Sequence, residues 1–339
     1  MSAPLEGMRV LDAGIWRPVP HATQLLADLG AHVTKLEPPG GDPMRAFPDL
    51  FADLSRGKDS VELDLRSDEG RARALELVAR VDVFTEGWRP GVAARLGLGF
   101  EDVRAVNPSI VYCSVSGYGQ TGPLADRPGH DVVYQAYAGA LWPRPGDPSE
   151  PRVPRVPVAD LAAATMAAFL ISAAWARRLR TGEGEYIDVA MADVVASWVG
   201  PYDATAVAGR DSALSGAAGY GIFRCADDRF VALAVIAEDH FWRAVCDALG
   251  LDALRTLSFP ERNARVEECN EAIAVALAAL PSEVALARLA DARAPVAPVL
   301  APSEMAHEPH YRERGVIVEL DGRPAVGLPA RLGRPTRPE

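Results

Sequence analysis

A histidine and an aspartate about thirty residues apart are the side chains in this sequence best suited to chemistry. The first lies in Gly129-His130-Asp131-Val132-Val133-Tyr134, the second in Pro157-Val158-Ala159-Asp160, at the head of a long apolar run. An imidazole titrates near neutrality, and a carboxyl rises toward that range when buried, so together they offer two proton-transfer groups of unequal acidity. Such a pair, meeting in one pocket, can remove and return a proton beside a carbonyl. The competing reading is structural: His130 at a turn, and Asp160 as a helix N-cap, a position that aspartate favours.

The elements that would position these residues alternate in type. Met8 to Ala13 reads as a buried strand, His21 to Leu29 as a helix stopped by Gly30, and His32 to Leu36 as the next strand. This is a βαβ unit, whose right-handed crossover makes a parallel sheet. Gly70 to Arg80 is an amphipathic helix feeding a strand at Val81 to Thr85, and Ser109 to Ser116 is another buried strand, broken by the glycines of Gly117 to Gly122. Asp160 to Arg180 is apolar nearly all round, which predicts a buried helix, with Arg177, Arg178 and Arg180 complementing its C-terminal dipole. Tyr186 to Met191 returns as a strand, and Trp198 to Tyr220 reads as a crossing linker. Beyond it come a strand pair (Gly221 to Cys225, Arg229 to Val235) and helices at Asp239 to Leu249, Arg265 to Leu280 and Ser282 to Ala292; Pro295 to Val299 then leads back. The pattern predicts an α/β fold: a doubly wound parallel sheet with ligands beyond its carboxyl ends, plus a smaller α+β domain. Asp12-Ala13-Gly14-Ile15-Trp16-Arg17 is no dinucleotide fingerprint, so a nicotinamide enzyme is disfavoured.

Composition narrows the partners. The net charge of −11 argues against nucleic acid, whose affinity comes mainly from phosphate neutralisation. Lys35, Arg45, Arg56, Lys58 and Arg66 nevertheless cluster early, with Arg89 and Arg95 following, and are candidates for holding a phosphorylated ligand or merely a solvated surface. Four scattered cysteines fit neither a disulfide framework nor a zinc site, and no histidine spacing suggests a metal. With no signal-peptide pattern and no uninterrupted apolar run of spanning length, we expect a cytoplasmic protein without a membrane partner.

Several segments together carry a family resemblance. They are Leu25 to Ala31, Lys35 to Pro43, Arg56-Gly57-Lys58 with Val61 to Leu65, Trp88-Arg89-Pro90-Gly91, Ser116 to Gly122, and Arg180 to Gly184. Through them the chain resembles the family III CoA-transferases (the CaiB/BaiF superfamily) over nearly its whole length. The resemblance implies an acyl-CoA substrate, no cofactor beyond its CoA moiety, and a homodimer whose chains interlock. It also implies a Rossmann-like large domain at 1–205, a small domain at 206–312, and a short segment, 313–339, returning to the large domain.

Within the superfamily, Asp160 matches the transferase nucleophile. Gly129 to Tyr134 matches the Gly-His-Asp-x-x-Tyr motif of the α-methylacyl-CoA racemases, and Glu238 falls where those racemases place a glutamate that holds the histidine. This resemblance makes a 2-methylacyl-CoA racemase the leading expectation, with His130 and Asp160 as two bases and Glu238 supporting the ring. The alternatives are a CoA-transferase working through an Asp160 anhydride and thioester, and a non-catalytic acyl-CoA-binding relative. Pro38 and Val156 depart from the racemase pattern, and Pro157 to Leu161 is transferase-like. By resemblance, Lys58, Leu63, Asp64, Leu65, Arg66 and Arg89 line the CoA path. Gly129, Asp131, Val132, Val133 and Tyr134 join them there.

Overall fold

Apolar residues on alternate sides of each strand demand cover on both faces of a sheet, and this chain supplies it with helices. The computed structural model describes residues 3–143, 150–202, 217–320 and 322–332. Strands β1 (Arg9–Ala13), β2 (His32–Glu37), β3 (Asp59–Glu62), β4 (Val83–Glu86), β5 (Val111–Ser116) and β6 (Glu185–Ala190) form one sheet in the order β3-β2-β1-β4-β5-β6. Every pairing in it is parallel. The fold is therefore mixed α/β with a doubly wound parallel sheet, and its order reverses between β1 and β4.

Neighbouring residues of β1 serve opposite faces. Val10 packs with the helices α1 (Pro18–Asp28), α7 (Val158–Thr181) and α8 (Met191–Tyr202), whereas Leu11 packs with α3 (Asp68–Val78) and α5 (Phe100–Val106). Helices α2 (Pro48–Ser55) and α4 (Val92–Arg95) fall between these in the chain. Helix α1 starts three residues before His21 because proline is tolerated in a first turn, where its missing N–H has no helical partner to lose. Alanines 159, 162, 163, 164 and 167 of α7 are buried, and their small side chains let it lie close against α1. By length and hydropathy α7 would also suit a bilayer, but it packs as a core helix against α1, α8, β5 and β6. Its burial is one-sided, which corrects the expectation of a fully buried helix: Phe169 and Leu179 are exposed.

The chain divides into two compact units. The first comprises Met1–Trp142, Pro151–Tyr202 and Glu313–Glu339; the second comprises Pro143–Glu150 and Asp203–Arg312. In the second, β7 (Tyr220–Arg224), β8 (Phe230–Ala234) and β9 (Val296–Pro298) form an antiparallel sheet. It shares a core with helices Asp239–Leu249, Val266–Ala278 and Ser282–Asp291, centred on Trp242, Ile273 and Leu289. Within the first unit, Ile317–Leu320 and Arg323–Val326 make a hairpin, and Arg323 bonds Asp53 at 2.9 Å.

Three local expectations change. Part of the expected linker is helical, since α8 runs to Tyr202; the expected boundary at 205/206 lies in 203–216, outside the described residues. Pro295 to Val299 holds the paired strand β9, not a bare connector. Asp131–Tyr137 is a helix, α6, so the turn expected at His130 is a helix start.

Candidate active site

The parallel strands deliver their C-terminal ends to one cleft of about 660 Å3, made wholly by the first unit. Ile15 and Trp16 enter it after β1, Gly87 to Pro90 after β4, Ser116 and Gly117 at the end of β5, and Met191 after β6. Helix α6 adds His130, Val133 and Tyr134, and α7 adds Asp160. The cleft thus flanks the reversal in strand order, where a doubly wound sheet leaves a crevice.

A buried charge network shapes the β1–α1 turn. Asp12 accepts from Gly14 N at 2.9 Å and Thr23 Oγ1 at 2.6 Å, and pairs with Lys58 at 3.2 Å. Lys35 Nζ donates to Gly14 O at 2.7 Å and pairs with Asp42 at 2.6 Å. Burial raises the pKa of Asp12, but Lys58, Lys35 and the bonds from Thr23 and Gly14 together outweigh it and hold the carboxyl below its usual range. Beside this anchored turn, Trp16 takes a left-handed conformation at φ +63°, a strained choice for a bulky residue, with its side chain on the cleft.

Asp160 does not cap α7. Pro157 occupies the N-cap position, Asp160 is the third helical residue, and the cap comes from Asp131, whose Oδ1 accepts from Ala159 N at 2.7 Å and Asp160 N at 3.2 Å. Freed from that duty, the half-buried Asp160 carboxyl faces the cleft with its pKa pushed up to about 6. Burial is the main cause and the nearby Asp131 carboxylate the second; Arg17 and His130 pull it partly back. Tyr134 is buried beside it, with its phenol pushed to about 12 by burial, Tyr118 and Asp160. Gly117 and Gly129 must be glycines here, because a Cβ on either would come within 2.5 Å or 2.7 Å of the Tyr134 ring.

Of the residues expected at the site, Arg89, Gly129, His130, Val133, Tyr134 and Asp160 meet in the cleft. The imidazole of His130 is exposed, at the N-cap position of α6, with no hydrogen-bond partner among the described residues. Asp131 and Val132 do not line the cleft, and Asp131 serves the α7 cap. Lys58 is a correction: its Nζ is buried and held by Asp12, Pro20 O and Thr23, so its charge is used inside the protein and not on a phosphate. Three more of the early cluster are paired likewise, Lys35 with Asp42, Arg45 with Glu37 and Arg56 with Asp28. Leu63 to Arg66 form the β3–α3 connection away from the cleft; Leu63 and Leu65 pack on the sheet, and Arg66 is exposed. Glu238 is exposed in the second unit, at the N-cap position of helix Asp239–Leu249, and its carboxylate accepts from Ile236 N at 3.1 Å.

A family model described as CoA-transferase family III matches residues 5–339. The chain belongs to that family. Among curated family III relatives, the chain is 33% identical to the acetyl-CoA:oxalate CoA-transferase of Acetobacter aceti, over 97% of this chain and 89% of that one. It is also 33% identical to the succinyl-CoA:mesaconate CoA-transferase of Haloarcula marismortui, covering 94% and 85%. A solved CAIB/BAIF family protein from Brucella suis superposes with a TM-score of 0.86 at 28% identity, covering 98% of this chain and 93% of that one. The expectation of a racemase finds no support in these relatives, whose names support the transferase alternative.

Sequence reasoning assigned no site role to several cleft residues of this CoA-transferase family member, the polar or aromatic Trp16, Ser116 and Arg127 among them. Two carried a signal. Trp16 follows a strand of a doubly wound sheet, and Ser116 ends another, the positions where such sheets bind ligands. Arg127, two residues ahead of Gly129, carried none beyond proximity.

Proposed function

We propose that this enzyme moves CoA from an acyl-CoA thioester to a free carboxylic acid through Asp160. The observation that carries the proposal is the carboxyl of Asp160, freed from capping and facing the cleft at the head of α7. With its pKa at about 6 it is mostly ionised at neutral pH, as a nucleophile must be. Its carboxylate attacks the thioester carbonyl, the C–S bond breaks, and an acyl-aspartyl anhydride and CoA thiolate result. The thiolate then attacks the aspartyl carbonyl, releasing the first acid and leaving CoA on Asp160 as a thioester. A second acid reverses both steps.

Charge in the cleft suits an anionic acceptor. Arg89 and Arg127 line it, both exposed, and Arg17 is close enough to Asp160 to favour its ionised form. Relatives are named for oxalate and mesaconate, both dicarboxylates, so short dicarboxylic acids are the acceptors we assign. Both relatives are named as CoA-transferases, which favours transfer over racemisation. Exposed Tyr137, Trp142, Phe169 and Trp198 support burial against a second copy, consistent with an interlocked homodimer. Four buried, unpaired cysteines fit a cytoplasmic setting.

The test pairs succinyl-CoA with oxalate and follows oxalyl-CoA, while a parallel sample is quenched with hydroxylamine and its peptides are mapped. Transfer with an adduct on Asp160 is expected. Deuterium entering the α-carbon of 2-methylacyl-CoA from heavy water, with no CoA transfer, would reinstate the racemase.

A further inference from the structure

One polar group in the cleft is left unsatisfied by the described residues. Ser116, the last residue of β5, is 5% exposed, and its Oγ has no hydrogen-bond partner among the described residues. It nonetheless lines the same cleft as Asp160. A buried hydroxyl without a partner has given up hydration for no return, and it makes sense where a substrate brings the acceptor.

Its neighbours hold the end of the strand in place. Gly117, next in the chain, lies against the Tyr134 ring, and its carbonyl accepts from Ala192 N at 3.0 Å, which ties the peptide between Gly117 and Tyr118 to α8. Tyr134 in turn is near enough to Asp160 to feel its charge. Ser116, Tyr134 and Asp160 all line this one cleft. Attack by a carboxylate on a thioester makes a negative oxygen that needs a positioned donor, and the serine hydroxyl is a donor with no other use.

We propose that the Ser116 hydroxyl donates a hydrogen bond to the oxygen that becomes negative when Asp160 attacks the thioester. The inference rests on the transferase reading and assigns it a further catalytic residue. As the Asp160 oxygen bonds to the carbonyl carbon, the π pair moves onto the carbonyl oxygen. When that pair returns, the C–S bond breaks and the thiolate leaves with its electrons. Ser116 keeps its proton throughout.

The experiment compares Ser116→Ala and Ser116→Thr with the unaltered enzyme, using succinyl-CoA and oxalate. In Ser116→Ala, kcat should fall about 10- to 100-fold, with the KM for succinyl-CoA within about three-fold, because the bond is made in the transition state. Its melting temperature should stay level or rise, since an unsatisfied buried group has been removed. Ser116→Thr, which keeps a hydroxyl, should recover most of the rate. An unchanged kcat in Ser116→Ala overturns the proposal, as does a rise in KM alone or a loss of rate matched by a loss of stability. If the unaltered enzyme shows the Asp160 adduct and Ser116→Ala is fully active, only the serine inference falls. If that adduct is absent, the transferase reading falls with it.

Discussion

Replacing Asp131 by asparagine should move the acidic limb of CoA transfer to lower pH. Among the described residues, Asp131 and His130 at the start of α6, Arg17 at the start of α1 and the Tyr134 phenol face Asp160 electrostatically. Asp131 is the one whose negative charge acts with burial to lift the Asp160 carboxyl from 3.8 to about 6. Because burial is the larger cause, removing the Asp131 charge should lower the pKa by on the order of one unit, about 1.4 kcal/mol between the two protonation states. On the proposed mechanism only the carboxylate attacks, so activity at pH 5 should follow the ionised fraction. That fraction is about a tenth for a pKa near 6 and about half for a pKa near 5, a gain of roughly five-fold relative to each enzyme's plateau. Asparagine also keeps an oxygen for Ala159 N and Asp160 N, so the α7 cap survives. Alanine does not, and should lose about 1 kcal/mol of stability as well. The assay is kcat/KM against pH at constant ionic strength, with thermal melts of both variants. An acid limb that stays in place or moves upward in a well-folded Asp131→Asn enzyme would refute the electrostatic reasoning.

Other changes separate the remaining roles. Asp160→Asn should lower CoA transfer by a factor on the order of 10² or more and abolish the hydroxylamine-trapped adduct, while His130→Ala should retain transfer; the reverse pattern in initial rates would remove Asp160 as nucleophile. Lys58→Met breaks a buried pair and should cost about 3 kcal/mol or more in urea melts with little change in the KM for acyl-CoA, whereas Arg89→Ala should raise that KM, more at low salt, without loss of stability. Glu86 is buried, and desolvation pushes its carboxyl up to about 7 from 4.5 despite bonds from Ser114 and Trp88 N. The folded protein therefore holds a proton that the unfolded chain releases, and stability is lost as pH rises through that interval, by roughly 3 kcal/mol in total. Glu86→Gln should show a stability advantage that grows between about pH 5 and pH 8, and an advantage independent of pH would contradict the assignment. An interlocked dimer should persist by mass photometry at nanomolar concentration, and monomers there would exclude interlocking.

Local rules were enough for much of the frame. Alternating apolar strands and amphipathic helices set the parallel sheet, and the basic last turn with Arg178 and Arg180, followed by Gly182, closed α7 where its dipole asks for positive charge. The position of Asp160 at the head of that helix was legible too, because a long apolar run announces its own beginning. Helix α6 was not: seven residues rich in valine and tyrosine carry little helical propensity, and its packing on α7 and α8 overrides that weakness. Charge was the least readable property. Lys58 and Arg89 are equally basic in the sequence, yet the fold threads Lys58 into Asp12 and Thr23 and leaves Arg89 on the cleft. The two aspartates show the same limit. The sequence marks Asp160 as a possible cap, and only the approach of α6 to α7 decides that Asp131 takes the amides and Asp160 keeps a free, half-buried carboxyl. Pattern follows from chain-local sterics and hydrophobic period, whereas the partner and ionisation of a charged group depend on atoms that only folding brings within a few ångströms.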